Sequence, residues 1–446
     1  MKILNKDLYW IRSGFFTLLQ NLLGVFFSIG SFYILLRLLG QNEYGVWALF
    51  MVTVTILETV RGGLVQNALI KYLASEEKAE HPGIIAASFT ISGLLTLFCI
   101  LINLGFSELL SALWKAPELV SIFNMYCITF IISGILTQFN CILQANLKFR
   151  SIFISTFILQ FSFFVYVLIC YVFKFRIELI NLIYMQMFNY SLAAFIAYFQ
   201  VKPYLSINFK SCRNWISRLF NYGKYAFGTS ISSILSVTVD QMMLGAILSP
   251  VQAGAFNVAV RLTNLLDIPT NAIAVIVFPQ SAKRINTEGK EGIKYLYEKS
   301  VGTLIALLIP GILFLYLFSG FVVNLIAGAN YKDTIPLLHI TLLYCLFTPY
   351  GRQFGNILDS IGKTKLTFLV VLLVTTINIG LNYLFINKFG VLGAAYATLT
   401  AHIIGFGIGQ SILRKELNVS IANTIVYAWR FYPEFYSKYI KKSQAD

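Results

Sequence analysis

The sequence predicts an all-α protein that crosses a membrane many times. Hydrophobic residues fill 57% of the 446 positions and charged residues only 12%, whereas a soluble domain carries about 25% charged residues. Apolar runs long enough to cross a bilayer recur along the whole chain, and basic residues concentrate in alternate connections between them. Together these observations indicate a polytopic membrane protein.

About twelve segments contain the roughly 20 apolar residues that a membrane-spanning helix needs. The first is too long for the core of a signal peptide, so we predict that it is retained as a span. The predicted limits are 13–36, 44–66, 83–105, 119–143, 151–173, 178–200, 222–247, 251–278, 299–325, 335–358, 364–386 and 390–413.

The basic residues predict the orientation of these spans. With the N-terminus in the cytoplasm, cytoplasmic segments hold 25 of the 34 Lys and Arg residues, outer loops hold 6, and 3 lie inside spans. This asymmetry predicts that both termini are cytoplasmic. The net charge of +15 then faces anionic lipid of the inner leaflet, and no nucleic-acid partner is expected.

The two halves of the sequence resemble each other at a constant offset. Gly45 corresponds to Gly254 and Glu58 to Asp267, and both pairs have the same separation in residue number. Six predicted spans separate equivalent points, and an even number preserves orientation. The repeats are therefore predicted to be parallel, related by a pseudo-two-fold axis along the membrane normal.

This repeat predicts two lobes of six helices and a tail. The predicted limits are 1–205 for the N-lobe and 206–415 for the C-lobe. Residues 416–446 contain an aromatic and apolar stretch that is too short and too charged to span. An interfacial helix and a frayed tail both fit this composition.

Ionisable residues inside predicted spans are candidates for function, because charge in hydrocarbon is costly. The three arginines are candidate substrate-binding residues, and three of the acids are candidates for ion coupling or for structural neutralisation. Asp359 ends its predicted span and is interpreted as a boundary residue. The candidate set is Arg261, Arg61 and Arg352 with Asp240, Asp267 and Glu58.

Arg261 lies deepest in its predicted span. Asp267 follows six residues later, about 9 Å along a helix and about 240° around it, so a simple pair on one helix is excluded unless Pro269 distorts the turn. Pro269 is therefore a candidate hinge. Arg261 is either held by an acid from another helix, Asp240 or Glu58, or lines a cavity where it contacts an anionic head group.

Glu58 and Arg61 share one face of a helix, so mutual neutralisation competes with a transport role. No cofactor or metal is expected, because the six cysteines and three histidines are dispersed without metal-ligand spacing. No Ser/His/Asp cluster suggests catalysis, and we predict that the chain is not an enzyme.

Three stretches resemble the polysaccharide transporter family, the O-antigen and capsule repeat-unit flippases. They are RLLGQNEYGVWALF at 37–50, VDQMMLGAILSPVQAGAFNVAVRL at 239–262 and ILDSIGKTK at 357–365. This family belongs to the multidrug/oligosaccharidyl-lipid/polysaccharide exporter superfamily, and the resemblance covers about 1–415.

The resemblance implies twelve helices in two six-helix lobes around a central cavity, with alternating access. It implies translocation of an undecaprenyl-pyrophosphate-linked oligosaccharide from the inner to the outer leaflet, with membrane lipids and polysaccharide polymerase machinery as further partners. Cavity arginines would contact the anionic carrier. Asp240 matches the acid of a family pattern D-[RK]-x-x-L-G, but Gln241 replaces its basic residue, which puts an Asp–basic contact in doubt.

Three alternatives stay open at this point. A cation-coupled drug or metabolite antiporter of the same superfamily would favour acids over arginines in its cavity. A membrane glycan polymerase or ligase is disfavoured by the short outer loops and the missing catalytic cluster. A flippase of murein precursors would share the fold, but such relatives often have two further helices.

Overall fold

A computed structural model of the chain describes residues 2–209 and 212–437. Every regular element in these two ranges is helical, which confirms the all-α prediction. Contacts divide the chain into two units, Met1–Ile234 and Leu235–Asp446, and the division falls within one long helix. The predicted lobe limits, 1–205 and 206–415, remain predictions.

Unit 1 is built from seven helices and the first part of an eighth. Its core gathers apolar side chains from five of them, including Leu69, Ile84, Ile142 and Leu219. The helices are α1 (Lys2–Leu38), α2 (Gln41–Gly63), α3 (Gln66–Ser75), α4 (His81–Leu113), α5 (Glu118–Ala145), α6 (Phe149–Val172), α7 (Leu179–Val201) and α8 (Cys212–Ile247).

Unit 2 contains the rest of α8 and nine further helices. Its core includes Ile293, Tyr297, Ile357 and Leu413. The helices are α9 (Pro250–Thr263), α10 (Asp267–Thr287), α11 (Gly289–Leu317), α12 (Ser319–Ile326), α13 (Ile335–Tyr344), α14 (Thr348–Ser360), α15 (Thr364–Phe389), α16 (Val391–Leu417) and α17 (Ile421–Phe435).

The helix bounds follow the sequence repeat. Gln41 begins α2 and Pro250 begins α9, and this pair of positions has the separation of the Gly45–Gly254 pair. The ends of α1 at Leu38 and of α8 at Ile247 have the same separation. After α5 and α14 the offset is slightly larger, as the starts of α6 and α15 show. Helix α17 has no counterpart among the described helices of unit 1.

The number of continuous spans is smaller than the twelve predicted. Ten described helices are long and apolar enough to cross a bilayer, and the bent pair α13–α14 counts as an eleventh span if the two helices cross together. The predicted span 251–278 is two helices, α9 and α10, and the predicted span 335–358 is bent by 41°. The predicted span 299–325 covers the end of α11 and most of α12, but α11 alone is long enough to cross. The interruptions of 251–278 and 335–358 both lie in unit 2.

Candidate functional site

Prolines cause both interruptions of the spans in unit 2. A helical proline cannot donate a backbone hydrogen bond, and its ring collides with the carbonyl four residues earlier. For Pro269 that carbonyl belongs to Leu265, inside the 3-10 turn Asn264–Leu266 that separates α9 from α10. Pro349 stands in the same relation to Cys345, at the bend between α13 and α14. The continuous helix predicted over 251–278 is wrong for this reason.

Pro269 itself lies in the first turn of α10. Backbone N–H groups in a first turn have no partner within their helix, so proline is tolerated there. The start of α9 is equally well defined, since Ser249 accepts a hydrogen bond from the Gln252 backbone and Pro250 occupies the first position. The role of Pro269 as a hinge stays a prediction.

Unit 1 brings its two predicted membrane charges together. Arg61 Nη2 lies 3.6 Å from Glu58 Oε1 on α2. Arg61 Nη1 also donates hydrogen bonds to the Phe130 carbonyl at 2.7 Å and to the Ser133 hydroxyl at 2.9 Å on α5. With a side chain only 4% exposed, Arg61 is held by the protein itself.

Arg261 contacts a neutral amide. Its Nε donates to Asn257 Oδ1 at 3.2 Å, one turn earlier on α9. Asn257 Nδ2 in turn donates to Gln241 Oε1 of α8 at 2.8 Å. Gln241 stands where the family pattern has a basic residue. It orients the Asn257 side chain, and Asn257 in turn orients Arg261. Arg261 is half-buried and lies just before the break between α9 and α10.

Arg352 lies on α14, immediately after the other interruption. The helix buries one side, including Tyr350 and Phe354, while Arg352 is exposed. Helix α10, whose first residue is Asp267, packs against α14. The structure therefore places two of the predicted arginines at the two broken spans of unit 2.

Asp240 does not hold Arg261. Its carboxylate, 3% exposed on α8, accepts hydrogen bonds from Asn382 Nδ2 at 2.5 Å on α15 and from the Thr398 hydroxyl on α16. Asn378 adds its own side-chain oxygen, 2.7 Å from Asn382 Nδ2. No described Lys or Arg side chain forms an ion pair with Asp240.

The cluster around Asp240 has more acceptor oxygens than donors. Asn382 Oδ1 is buried and has no hydrogen-bond donor, although buried acceptors normally have one. A buried carboxylate held only by neutral groups lacks a compensating positive charge, which is costly in a membrane. A proton or a small cation that prefers oxygen ligands would supply that charge.

Sequence reasoning missed the partners of Asp240. Asn378 and Asn382 are one turn apart on an otherwise apolar span, and this spacing was the available signal, because buried amides in hydrocarbon need partners. Beside them, His402 Nδ1 lies 2.9 Å from the Thr398 carbonyl. That nitrogen carries the proton, since a carbonyl only accepts. The imidazole also stacks on Tyr344 with ring centroids 4.9 Å apart.

A metal centre of the usual protein type is not assembled in the part of the chain that the structure describes. No group of three or more His, Cys, Asp and Glu side chains is placed there to hold a metal ion. The prediction that the protein needs no cofactor is untested.

The fold is similar to those of solved transporters. A multidrug resistance MATE family transporter of the MOP superfamily, in an inward-facing conformation, superposes with a TM-score of 0.77 at 15% identity, covering 88% of this chain and 96% of that one. The lipid II flippase MurJ, in an inward closed conformation, gives a TM-score of 0.73 at 17% identity, covering 97% and 93%. The class of protein is therefore a multi-pass membrane protein with the fold of this superfamily.

Sequence comparison gives the family. Residues 34–336 match the family described as polysaccharide biosynthesis protein, and the chain belongs to that family, as its resemblance predicted. A relative in Haloferax volcanii, named "Probable low-salt glycan biosynthesis flippase Agl15", is 25% identical over 191 residues, covering 43% of this chain and 40% of the relative. The chain thus matches less than half of that relative's length. This name agrees with the expectation of a transporter rather than an enzyme.

Proposed function

We propose that this protein is a flippase that moves a polyprenyl-pyrophosphate-linked oligosaccharide from the inner to the outer leaflet of a bacterial cytoplasmic membrane by alternating access. Both termini are cytoplasmic in this proposal, as the distribution of basic residues favours. A glycan head group cannot cross hydrocarbon unaided, so the protein shields it while the lipid tail stays in the bilayer. The family match over residues 34–336 supports a substrate of polysaccharide biosynthesis.

The observation that carries the proposal is the placement of Arg261. A guanidinium on a membrane segment, next to a helix break and oriented by the neutral Asn257, suits an anionic ligand. Broken membrane helices frequently form substrate sites, and the planar guanidinium fork matches the oxygens of a pyrophosphate. Arg352, at the second interruption, is the second candidate. We assign Arg61 a structural role, because Glu58 and α5 already hold it.

We further assign ion coupling to Asp240 rather than to Glu58. Asp240 lies among neutral oxygen-bearing and amide side chains, whereas Glu58 already has Arg61 as a partner. A cation or proton that binds Asp240 in one conformation and leaves in another would link the ion gradient to transport.

The test of the ligand role uses Arg261→Ala and Arg261→Lys in vesicles that carry a polyprenyl-pyrophosphate-linked oligosaccharide. Flipping is measured as the fraction of glycan that becomes accessible to a glycosidase added on the far side. We expect at least a tenfold loss in Arg261→Ala, and a partial loss in Arg261→Lys because an ammonium lacks the bidentate fork. Arg414→Ala, at an exposed arginine of the same unit, is the matched control. Wild-type flipping by Arg261→Ala at equal protein level contradicts the proposal.

The test of ion coupling applies sodium and proton gradients separately to the same vesicles. Asp240→Asn keeps the side-chain size and removes the charge, so flipping should lose its dependence on whichever gradient drives the wild type. Dependence that persists in Asp240→Asn removes Asp240 from this role. Export of cationic drugs in place of glycan flipping would favour an antiporter.

A further inference from the structure

We propose that α17 is a membrane-surface helix whose exposed apolar stripe is embedded in the acyl region of a leaflet rich in anionic phospholipid. This inference concerns the tail of the chain and is independent of what the protein transports. It depends on how α17 is fastened to the membrane-spanning helix α11 and on the three distinct faces that α17 presents.

The first fastening is at the beginning of α17. Glu298 of α11 is 2% exposed, and its two carboxylate oxygens accept hydrogen bonds from the Ser420 backbone at 2.8 Å and from Asn423 Nδ2 at 2.9 Å. Ser420 precedes the first residue of α17, where backbone N–H groups lack helical partners and the helix dipole favours a negative charge. Glu298 therefore caps α17 from another helix.

The second fastening lies deeper along α11. Pro310 has no N–H group, so the Ala306 carbonyl loses its usual partner within the helix. The Tyr432 hydroxyl of α17 donates to that carbonyl at 2.8 Å. Between the two fastenings, Gly302 lets the helices approach closely, since a side chain there would collide with the Thr424 backbone oxygen. Helix α17 is thus built into unit 2.

Helix α17 presents three faces. Thr424 and Ala428 are buried against the protein, whereas Arg430 and Glu434 are exposed on a polar side. Between these faces lies the apolar stripe, whose members fall within about 40° of one line at 100° per residue. Each is at least 40% exposed, and the largest exposure is 75% at Trp429. The apolar stripe is Ile421, Ile425, Trp429, Tyr432 and Tyr436.

The depth of these contacts identifies the occupant as lipid. Lys299 is the last charged residue of α11, and residues 300–331 carry no charge, so Ala306 lies about 10 Å inside the apolar segment. Interfacial helices bury their apolar faces about 5–10 Å into the boundary between head groups and acyl chains. Trp and Tyr are enriched at that level. The apolar stripe therefore faces acyl chains.

Charge specifies the kind of lipid. The sequence places two lysines on α11, an arginine on α17, and three more lysines after α17. A juxtamembrane cluster of this size attracts anionic head groups. In the sequence these residues are Lys294, Lys299, Arg430, Lys438, Lys441 and Lys442.

The experiment compares neighbouring positions on two faces of one helix. Trp429→Cys and Arg430→Cys are each spin-labelled in the full-length protein in nanodiscs, and the unsubstituted chain measures the background of native cysteines. Collisions with oxygen report acyl chains, and collisions with a nickel chelate report water. We expect the label at 429 to be several-fold more accessible to oxygen than to nickel, and the label at 430 to show the reverse. The comparison is run in zwitterionic discs and in discs with equal parts of an anionic lipid, where 429 should lie deeper.

Three outcomes overturn the proposal. Equal nickel accessibility at 429 and 430 means that the apolar stripe faces water. Shielding of 429 from both reagents means that protein, such as a second copy of the chain, covers it. An unchanged depth between the two kinds of disc removes the role of anionic lipid. Quenching of unlabelled protein by brominated lipid, with Trp429→Phe to isolate the signal of that residue, tests the same contact without a label.

Discussion

The segments α2 and α9–α10 are equivalent in the sequence repeat, but they differ in how their charged side chains are placed. They begin at corresponding positions of the sequence repeat, Gln41 and Pro250. In α2 an uninterrupted helix places an acid and an arginine one turn apart, and they neutralise each other. In α9–α10 the helix breaks between Arg261 and Asp267, and Arg261 donates to the neutral Asn257.

The difference arises at one position of the repeat. In the register that aligns Gly45 with Gly254, Pro269 in unit 2 corresponds to Val60 in unit 1. Val60 lies within α2, which continues to Gly63, whereas Pro269 coincides with the break between α9 and α10. A proline at this position thus distinguishes the two segments. The acid and the arginine of α2 form an ion pair, whereas the arginine of α9 donates to an amide.

The largest effect is expected from Arg61→Ala. Removing the arginine leaves Glu58 without its partner inside the protein, so the free energy of unfolding should fall by about 3–5 kcal/mol. Denaturant unfolding in detergent measures the change. Arg284→Ala breaks an ion pair of 3.4 Å between more exposed side chains and should cost less than about 1 kcal/mol. Equal losses in the two variants would contradict the scaffold role of Arg61.

Val60→Pro introduces the proline of unit 2 into unit 1. It removes the hydrogen bond from residue 60 to the Ile56 carbonyl and adds a steric clash, so unfolding should become easier by about 3 kcal/mol. Val60→Ala at the same position is the control and should cost about 1 kcal/mol. A well-tolerated Val60→Pro would show that proline alone does not distinguish the two segments.

Thr398→Val tests how much a neutral hydrogen-bond donor to Asp240 contributes to stability. Loss of the hydroxyl removes one of the donors to Asp240, and an unsatisfied buried acceptor costs about 1–3 kcal/mol. Thr400→Val lies two residues away on the exposed side, where its hydroxyl bonds the Tyr396 carbonyl, and should change stability by less than about 0.5 kcal/mol. Thermal unfolding of both variants gives the comparison, and similar shifts would argue that Asp240 does not need this donor.

The smallest effect on stability is expected from Pro269→Ala. Alanine restores an N–H group that can bond the Leu265 carbonyl, so α9 and α10 should become more continuous at a cost or gain within about 1 kcal/mol. Hydrogen exchange with mass spectrometry should show slower exchange across residues 264–269. If the exchange rate stays that of the wild type, the break has another cause and the hinge assignment loses its basis.

Much of the architecture followed from the sequence alone. Composition and apolar runs predicted the all-α membrane fold, and the internal repeat predicted the start of α9 from that of α2. These features depend on local sequence, because the length and hydrophobicity of a segment decide whether it can span. The family also followed from short stretches around the first, seventh and tenth predicted spans.

The contacts between distant residues did not follow. Asp240 meets Asn382 across 142 residues and Thr398 across 158, and no periodicity within one helix encodes such a meeting. Apolar length predicts one continuous span over 251–278, but the clash of the Pro269 ring with the Leu265 carbonyl divides it. The sequence of the tail does not predict the docking of α17, because its partners Glu298 and the Ala306 carbonyl lie far upstream.

The interruptions of unit 2 also bear on how the chain is inserted during synthesis. Helix α9 has 14 residues and α14 has 13, so neither is long enough to cross about 30 Å of hydrocarbon alone. Each helix also carries an arginine. At the centre of a span, an arginine raises the free energy of insertion through the translocon by about 2.5–3.5 kcal/mol. Neither segment therefore partitions into lipid unaided. Each must leave the translocon together with neighbouring helices, so the segments with the arginine candidates enter the membrane only as part of a larger assembled group.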